Sequence, residues 1–158
     1  MIEIQHTCLI DRPVAEVSGF VTDPTNNPRW QPFVVEARVI PDGPVRVGAR
    51  VHESIQFLGR HFDCVFEVTE LEPGRASAIL FLAGPVWGTA RYGFEQVGAG
   101  TSLTVGLSIE AHRYFRLAEP VFASVVEVEL ASVCGRLKRL LERAPAEATA
   151  REEALASR

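Results

Sequence analysis

The sequence is poor in cysteine, in positive charge and in long apolar runs. Cys8, Cys64 and Cys134 are an odd number of thiols, far apart and without CxxC spacing, so neither a disulfide framework nor a zinc site is indicated. Buried, reduced side chains are expected at such positions. Lys and Arg number 16 against 20 Asp and Glu, a formal charge of −4. That balance lacks the basic surface a nucleic-acid binder or an anionic-membrane binder needs, so no nucleic-acid partner is expected. No apolar run reaches spanning length, and MIEIQHTCLI lacks the basic segment and cleavage site of a signal peptide. A cytoplasmic protein without a membrane span is the expectation.

Chemical signatures are equally scarce. There is no G-x-S-x-G, Walker loop or dinucleotide fingerprint. His6, His52, His61 and His112 have no ligand spacing. His52 and His61 are expected to face each other across a hairpin at Leu58-Gly59, both on the outer face, where two histidines alone would lack the further ligands usual for zinc. Cys64 has no adjacent cation to activate it. No nucleophile, metal site or cofactor is therefore indicated.

What the 158 residues do hold is a run of strand-like segments followed by one long helical pattern, with 47% hydrophobic residues to fill a core. Ile2 to Ile10 alternates as a strand. Arg12-Pro13 ends it, and Val14, Val17, Phe20 and Val21 recur at helical spacing to about Thr22. Asp23-Pro24 stops that helix, and Thr25 to Trp30 opens a second, very short one before Pro32. Six strands are then predicted: Val34–Ile40, Arg50–Phe57, Arg60–Leu71, Ala76–Leu82, Trp87–Val97 and Thr101–Ala111. Short Gly and Pro turns between them imply antiparallel pairing. Arg116 to Arg143 reads as one helix. The Ala- and Glu-rich segment 145–158 lacks a wide apolar stripe and is expected to be a flexible tail beyond a single domain of residues 1–144.

Alternation assigns the faces. Phe62, Cys64, Phe66 and Val68 form one inward row; Ala90, Tyr92 and Phe94 form another, and Leu103, Val105, Leu107 and Ile109 a third. Between Arg50 and Phe57 the inward set is Val51, Glu53, Ile55 and Phe57, so Glu53 is a carboxylate on an apolar face. On the long helix, Phe122, Val126, Val133, Leu137 and Leu140 form one stripe that contains Glu129. A buried carboxylate is costly unless paired or hydrogen-bonded. Glu53 and Glu129 are either acids at a wet rim or polar anchors in an apolar cavity. Val121, Val125 and Val128 lie beside the stripe and suit an edge element or a second subunit, leaving monomer and homodimer both open. Trp30 and Trp87, each read as lying in a loop, are plugs for the core or lids over a pocket.

Several short motifs, in this order, resemble the SRPBCC superfamily in its polyketide cyclase/dehydrase branch, which is related to START and Bet v 1-like proteins. They are Pro13-Val14-Ala15-Glu16-Val17, Asp23-Pro24, Pro28-Arg29-Trp30, Val47-Gly48-Ala49-Arg50, the stretch from Val68 to Arg75, and Gly98 to Thr104. The resemblance covers residues 1 to 143. It implies an α+β helix-grip fold: a seven-stranded antiparallel sheet wrapped around a long C-terminal helix, with two short helices after the first strand. It also implies a deep hydrophobic cavity between sheet and helix. Aromatase/cyclases of the tetracenomycin type place an arginine inside that cavity. Here the corresponding stretch, Ala76 to Leu82, reads ASAILFL and has none, which counts against an aromatic polyketide cyclase.

Three functions compete. The first is binding of a hydrophobic small molecule, lipid- or polyketide-like, by Trp30, Glu53, Ile55, Phe57, Phe62, Cys64, Phe66, Tyr92, Phe94, Phe122, Val126 and Glu129. The second is a polyketide cyclase/dehydrase-type enzyme using Glu53 or Glu129 as general base. The third is a protein-interaction module using the extra valines of the long helix.

Overall fold

A computed structural model describes residues 1–112 and 119–156, with side chains left out of account over 144–153. Strand β1 (Ile2–Ile10) leads into helix α1 (Val14–Val21), a single 3-10 turn (Pro24–Asn26) and a one-turn helix α2 (Asn27–Trp30). Six strands follow: β2 (Val34–Ile40), β3 (Arg50–Phe57), β4 (Arg60–Glu72), β5 (Ala76–Ala83), β6 (Val86–Val97) and β7 (Gly100–Ala111). Helix α3 (Glu119–Ala156) completes the chain. The strands form one sheet in the order β1-β7-β6-β5-β4-β3-β2, antiparallel at every pairing. This is the predicted helix-grip architecture. The predicted helix start at Arg116 lies outside the described residues. Helix α3 continues to Ala156, beyond the end predicted at Arg143.

Each short helix has a local cause. Pro13 precedes α1 and Glu16 sits in its first turn, where the dipole favours a carboxylate. Arg12 donates to both Glu16 oxygens at 2.7–2.9 Å. The Asp23 carboxylate accepts from the Thr25 backbone N–H at 3.0 Å and caps the 3-10 turn. The buried Ser18 hydroxyl accepts from the Gly74 N–H at 2.8 Å and ties α1 to the β4–β5 turn.

The inner face of the sheet serves two purposes along its length. At one end α1, Trp30 and the middle of α3, from Leu130 to Leu141, fill it with a close-packed core of Ile10, Val17, Phe94, Leu103, Val133 and Leu137. Full burial of such a side chain contributes about 1.5–3 kcal/mol. Polar clamps hold the helix there. Lys138 Nζ donates to the Leu9 carbonyl at 2.7 Å and to Glu142 at 2.6 Å. Glu142 also accepts from the Asp11 N–H at 2.9 Å. Arg136 Nε reaches the Arg29 carbonyl of α2 at 3.3 Å. Over β3, β4 and β5 the face carries a second cluster that includes Val51, Phe66, Val68 and Ile79. The cavity opens between these two regions.

Two expectations about aromatic side chains need correction. Trp87 is no loop residue: it lies in β6 and is 47% exposed. Strand β6 begins at Val86, so Trp87 points outward with Thr89 and Arg91 and covers no pocket. His52 and His61 do lie on the outer face, but they are not directly opposed. Their cross-strand partners are Val65 and Gln56, and both imidazoles approach Asp63, at 3.8 and 3.9 Å. The described residues contain no group of three or more His, Cys, Asp or Glu arranged to hold a metal.

Candidate functional site

The cavity measures about 200 Å³, far more than a single water needs. Its floor is built from β3 to β7: Ile55 and Phe57, Cys64 and Phe66, Ile79 and Phe81, Ala90 and Tyr92, Leu107 and Ile109. The roof is the first half of α3, with Phe122, Val126, Glu129, Leu130 and Val133. Asn27, Trp30 and Phe33 close one side. Phe57 meets Phe33 and Phe122 edge-on, with ring centroids 6.2 Å apart in both pairs. Edge-to-face contacts of this kind add roughly 0.5–1.5 kcal/mol beyond burial.

Glu53 stands in this apolar surface as alternation predicts. Its side chain is buried, and Asn27 Nδ2 donates to Oε1 at 2.6 Å. Burial raises the Glu53 pKa to about 7, and the Asn27 hydrogen bond pulls the other way. Two neighbours feel the carboxylate. The Cys64 thiol, cross-strand partner of Glu53, is pushed up to about 12, by burial first and by Glu53 second. The Tyr92 hydroxyl is raised by the same two causes in the same order, so both groups stay protonated at neutral pH. Tyr92 belongs to the interior, yet part of its surface remains open to the cavity. Trp30 is 2% exposed, and its indole Nε1–H has no hydrogen-bond acceptor among the described residues.

Ten of the twelve predicted site residues line the cavity: Trp30, Glu53, Ile55, Phe57, Cys64, Phe66, Tyr92, Phe122, Val126 and Glu129. Phe62 and Phe94 do not. Phe94 faces inward as predicted, but at the end where α1 and α3 fill the interior, and it packs there with Leu103 and Leu137. Phe62 lies beyond the point at Val65 where β5 begins to pair with β4. It sits on the projecting β3–β4 arm and packs against Val34, Ile55 and Cys64. Glu129 is half-buried at the helix side of the cavity. The prediction missed Asn27, Phe33 and Phe81. For Asn27 the available signal was the unpaired inward carboxylate itself, which demands a donor.

The chain resembles known proteins in fold far more than in sequence. No curated protein matches it. Among solved structures, the TTHA0849 protein of Thermus thermophilus superposes with a TM-score of 0.77 at 15% identity, covering 90% of this chain and 98% of that one. The Zhui aromatase/cyclase from Streptomyces sp. R1128 gives 0.71 at 17% identity, over 89% and 93% of the two chains. A START superfamily protein from Mycobacterium smegmatis gives 0.69 at 16%, over 89% and 99%. At such identities the likeness shows the shared fold alone. A family model described as polyketide cyclase / dehydrase and lipid transport matches residues 1–142. With the helix-grip fold, that match over most of its length makes the chain a member of this SRPBCC family.

Proposed function

We propose that the protein binds a hydrophobic small molecule, lipid- or polyketide-like, between the sheet and helix α3. The observation that carries this reading is the interior cavity itself, walled mainly by aromatic and aliphatic side chains. A packed core would have closed such a space, because protein interiors otherwise approach crystal density. The family's description, which includes lipid transport, supports the same reading. The binding unit is residues 1–144. The protein works in the cytoplasm as a monomer or homodimer, in keeping with three free cysteines. Native mass spectrometry of freshly purified protein tests the reading. Co-purified apolar mass, or saturable uptake of the neutral dye Nile red, is expected. Neither appearing would sink it.

A second reading is favoured by one feature, the Glu53 carboxyl held near neutrality. A general base works best with a pKa close to the operating pH. In a cyclase- or dehydrase-type reaction Glu53 would take a proton from a substrate held folded over the aromatic floor, and proximity would supply much of the rate. Glu53→Gln keeps the side chain's shape and removes its basicity. An enzyme would lose turnover and keep its substrate affinity. A binding protein would show only a modest affinity change.

A further inference from the structure

The three cysteines are far apart in sequence, but the fold brings two of them together. Cys8 lies on β1 and shares the inward face of that strand with Ile2 and Ile10. Cys134 lies in α3 and is fully buried. The clamps between the two elements fix their alignment. Glu142 accepts from the Asp11 N–H. Lys138, one helical turn earlier, donates to the Leu9 carbonyl, two strand residues earlier. Four helix residues rise about 6 Å and two strand residues about 6.6 Å, so helix and strand run in step. One more turn back along α3 is Cys134. Two more residues back along β1 is Thr7, whose inward-facing neighbour is Cys8. The side chains meet there: Cys8 packs against the core cluster that contains Cys134, and a hydrogen bond joins the two thiols.

The two thiols differ as an oxidisable pair requires. Cys8 is half-buried, within reach of small solutes. Its pKa is held below the ordinary value, by the hydrogen bond from Cys134 first and by the Lys138 ammonium after it, against burial and Glu142. Cys134 donates that hydrogen bond and is pushed up by it and by burial, so it stays a thiol. The thiolate is the form that reacts with peroxides. Cys64 contrasts with both. It is buried on β4, in a cluster that holds neither Cys8 nor Cys134, and burial pushes its pKa up to about 12.

We propose that Cys8 and Cys134 form a reversible dithiol–disulfide site that is oxidised by hydrogen peroxide and, once oxidised, ties β1 covalently to α3. The Cys8 thiolate attacks one peroxide oxygen; an S–O bond forms, the O–O bond breaks and hydroxide leaves, giving a sulfenic acid. The Cys134 thiol then attacks the Cys8 sulfur. The S–S bond forms, the S–O bond breaks, and the hydroxyl leaves as water with the Cys134 proton. Two thiols are oxidised and one peroxide is reduced. A small thiol such as glutathione restores the pair by exchange. The site is independent of whether the cavity takes a ligand.

The test exposes the full chain, first fully reduced, to a small excess of hydrogen peroxide. Mass spectrometry after denaturation and alkylation should show the loss of two hydrogens, one alkylated thiol of the three, and a linked peptide pair holding Cys8 and Cys134. Dithiothreitol should restore all three thiols. Cys134→Ala should leave Cys8 as a sulfenic acid that dimedone labels. Cys8→Ser should slow peroxide consumption about tenfold or more. The wild-type peptide map is decisive by itself if either variant folds poorly. Bridges between chains, a linked pair that includes Cys64, or Cys8 advancing to sulfinic acid while Cys134 is still alkylated overturns the assignment. So does a chain whose thiols all survive a peroxide dose that oxidises free cysteine.

Discussion

At the scale of single residues, the free energy at stake is concentrated in Glu53. Its folded pKa of about 7 lies above the usual value of 4.5, so the folded state holds a proton that the unfolded chain has already released. Stability from this group is present in full below about pH 4.5. It falls as pH rises toward 7 and levels off above, a loss of up to about 3 kcal/mol by linkage. Urea denaturation across about pH 5 to 8 should show that decline. Glu53→Gln should flatten it and raise stability at the alkaline end. Asn27→Ala removes the donor that favours the ionised form. It should cost about 1–3 kcal/mol at about pH 8 and less at about pH 5. Equal losses at both ends would mean that Asn27 serves packing alone. Glu53 was legible in the sequence because strand alternation has a period of two and a single carboxylate breaks an apolar row. Asn27 was not, because a one-turn helix between two prolines has no periodicity from which to read a face.

At the scale of elements, helix α3 is anchored unevenly. Leu137 is fully buried while Val128 is 70% exposed. Leu137→Ala should cost about 2–5 kcal/mol, and Val128→Ala should stay within about 0.5 kcal/mol; thermal melts of the two variants compare them directly. A similar loss for both would place a partner surface on the valine side. The β6–β7 pair has its own critical point. Gly88 has a φ of +124°, and a Cβ there would meet the Ser108 carbonyl oxygen at 2.1 Å. Gly88→Ala should therefore destabilise the sheet by at least about 1–3 kcal/mol from strain alone, read as a drop in melting temperature. Strand limits and their faces were legible almost throughout, since turns rich in Gly and Pro punctuate them. Position along a face was not. Phe94 and Tyr92 look alike in an alternating pattern, yet one fills the core and the other borders the cavity. That difference is set by which part of α3 lies overhead, a long-range packing fact with no local signature.

At the scale of the whole molecule, stability and capacity to bind occupy different ends of the same sheet. One end is filled and clamped by Lys138, Glu142 and the Leu137 cluster. The other leaves its floor uncovered by protein atoms beneath Phe122 and Val126. Val126→Trp should fill that space at about 1–3 kcal/mol of packing strain, keep a cooperative thermal transition and abolish Nile red binding. Retained dye binding would move the site elsewhere. The outline of this division followed from the long helix coming last and from the family resemblance. The volume did not, because an empty space depends on the sum of many side-chain sizes and is encoded by no single one.

The clamp between β1 and α3 also orders events in time. The Leu9 carbonyl and the Asp11 amide are made well before their partners Lys138 and Glu142, which follow 129 and 131 residues later in the chain. Strand β7 must also return to β1 before the sheet is complete. Until the last helix leaves the ribosome, the inner faces of the strands already made have nothing to cover them. A chain arrested after β7 would present a broad apolar concave surface to the cell. Nascent molecules of this protein should thus depend on holding chaperones until helix α3 has been made, and the cavity does not exist before then.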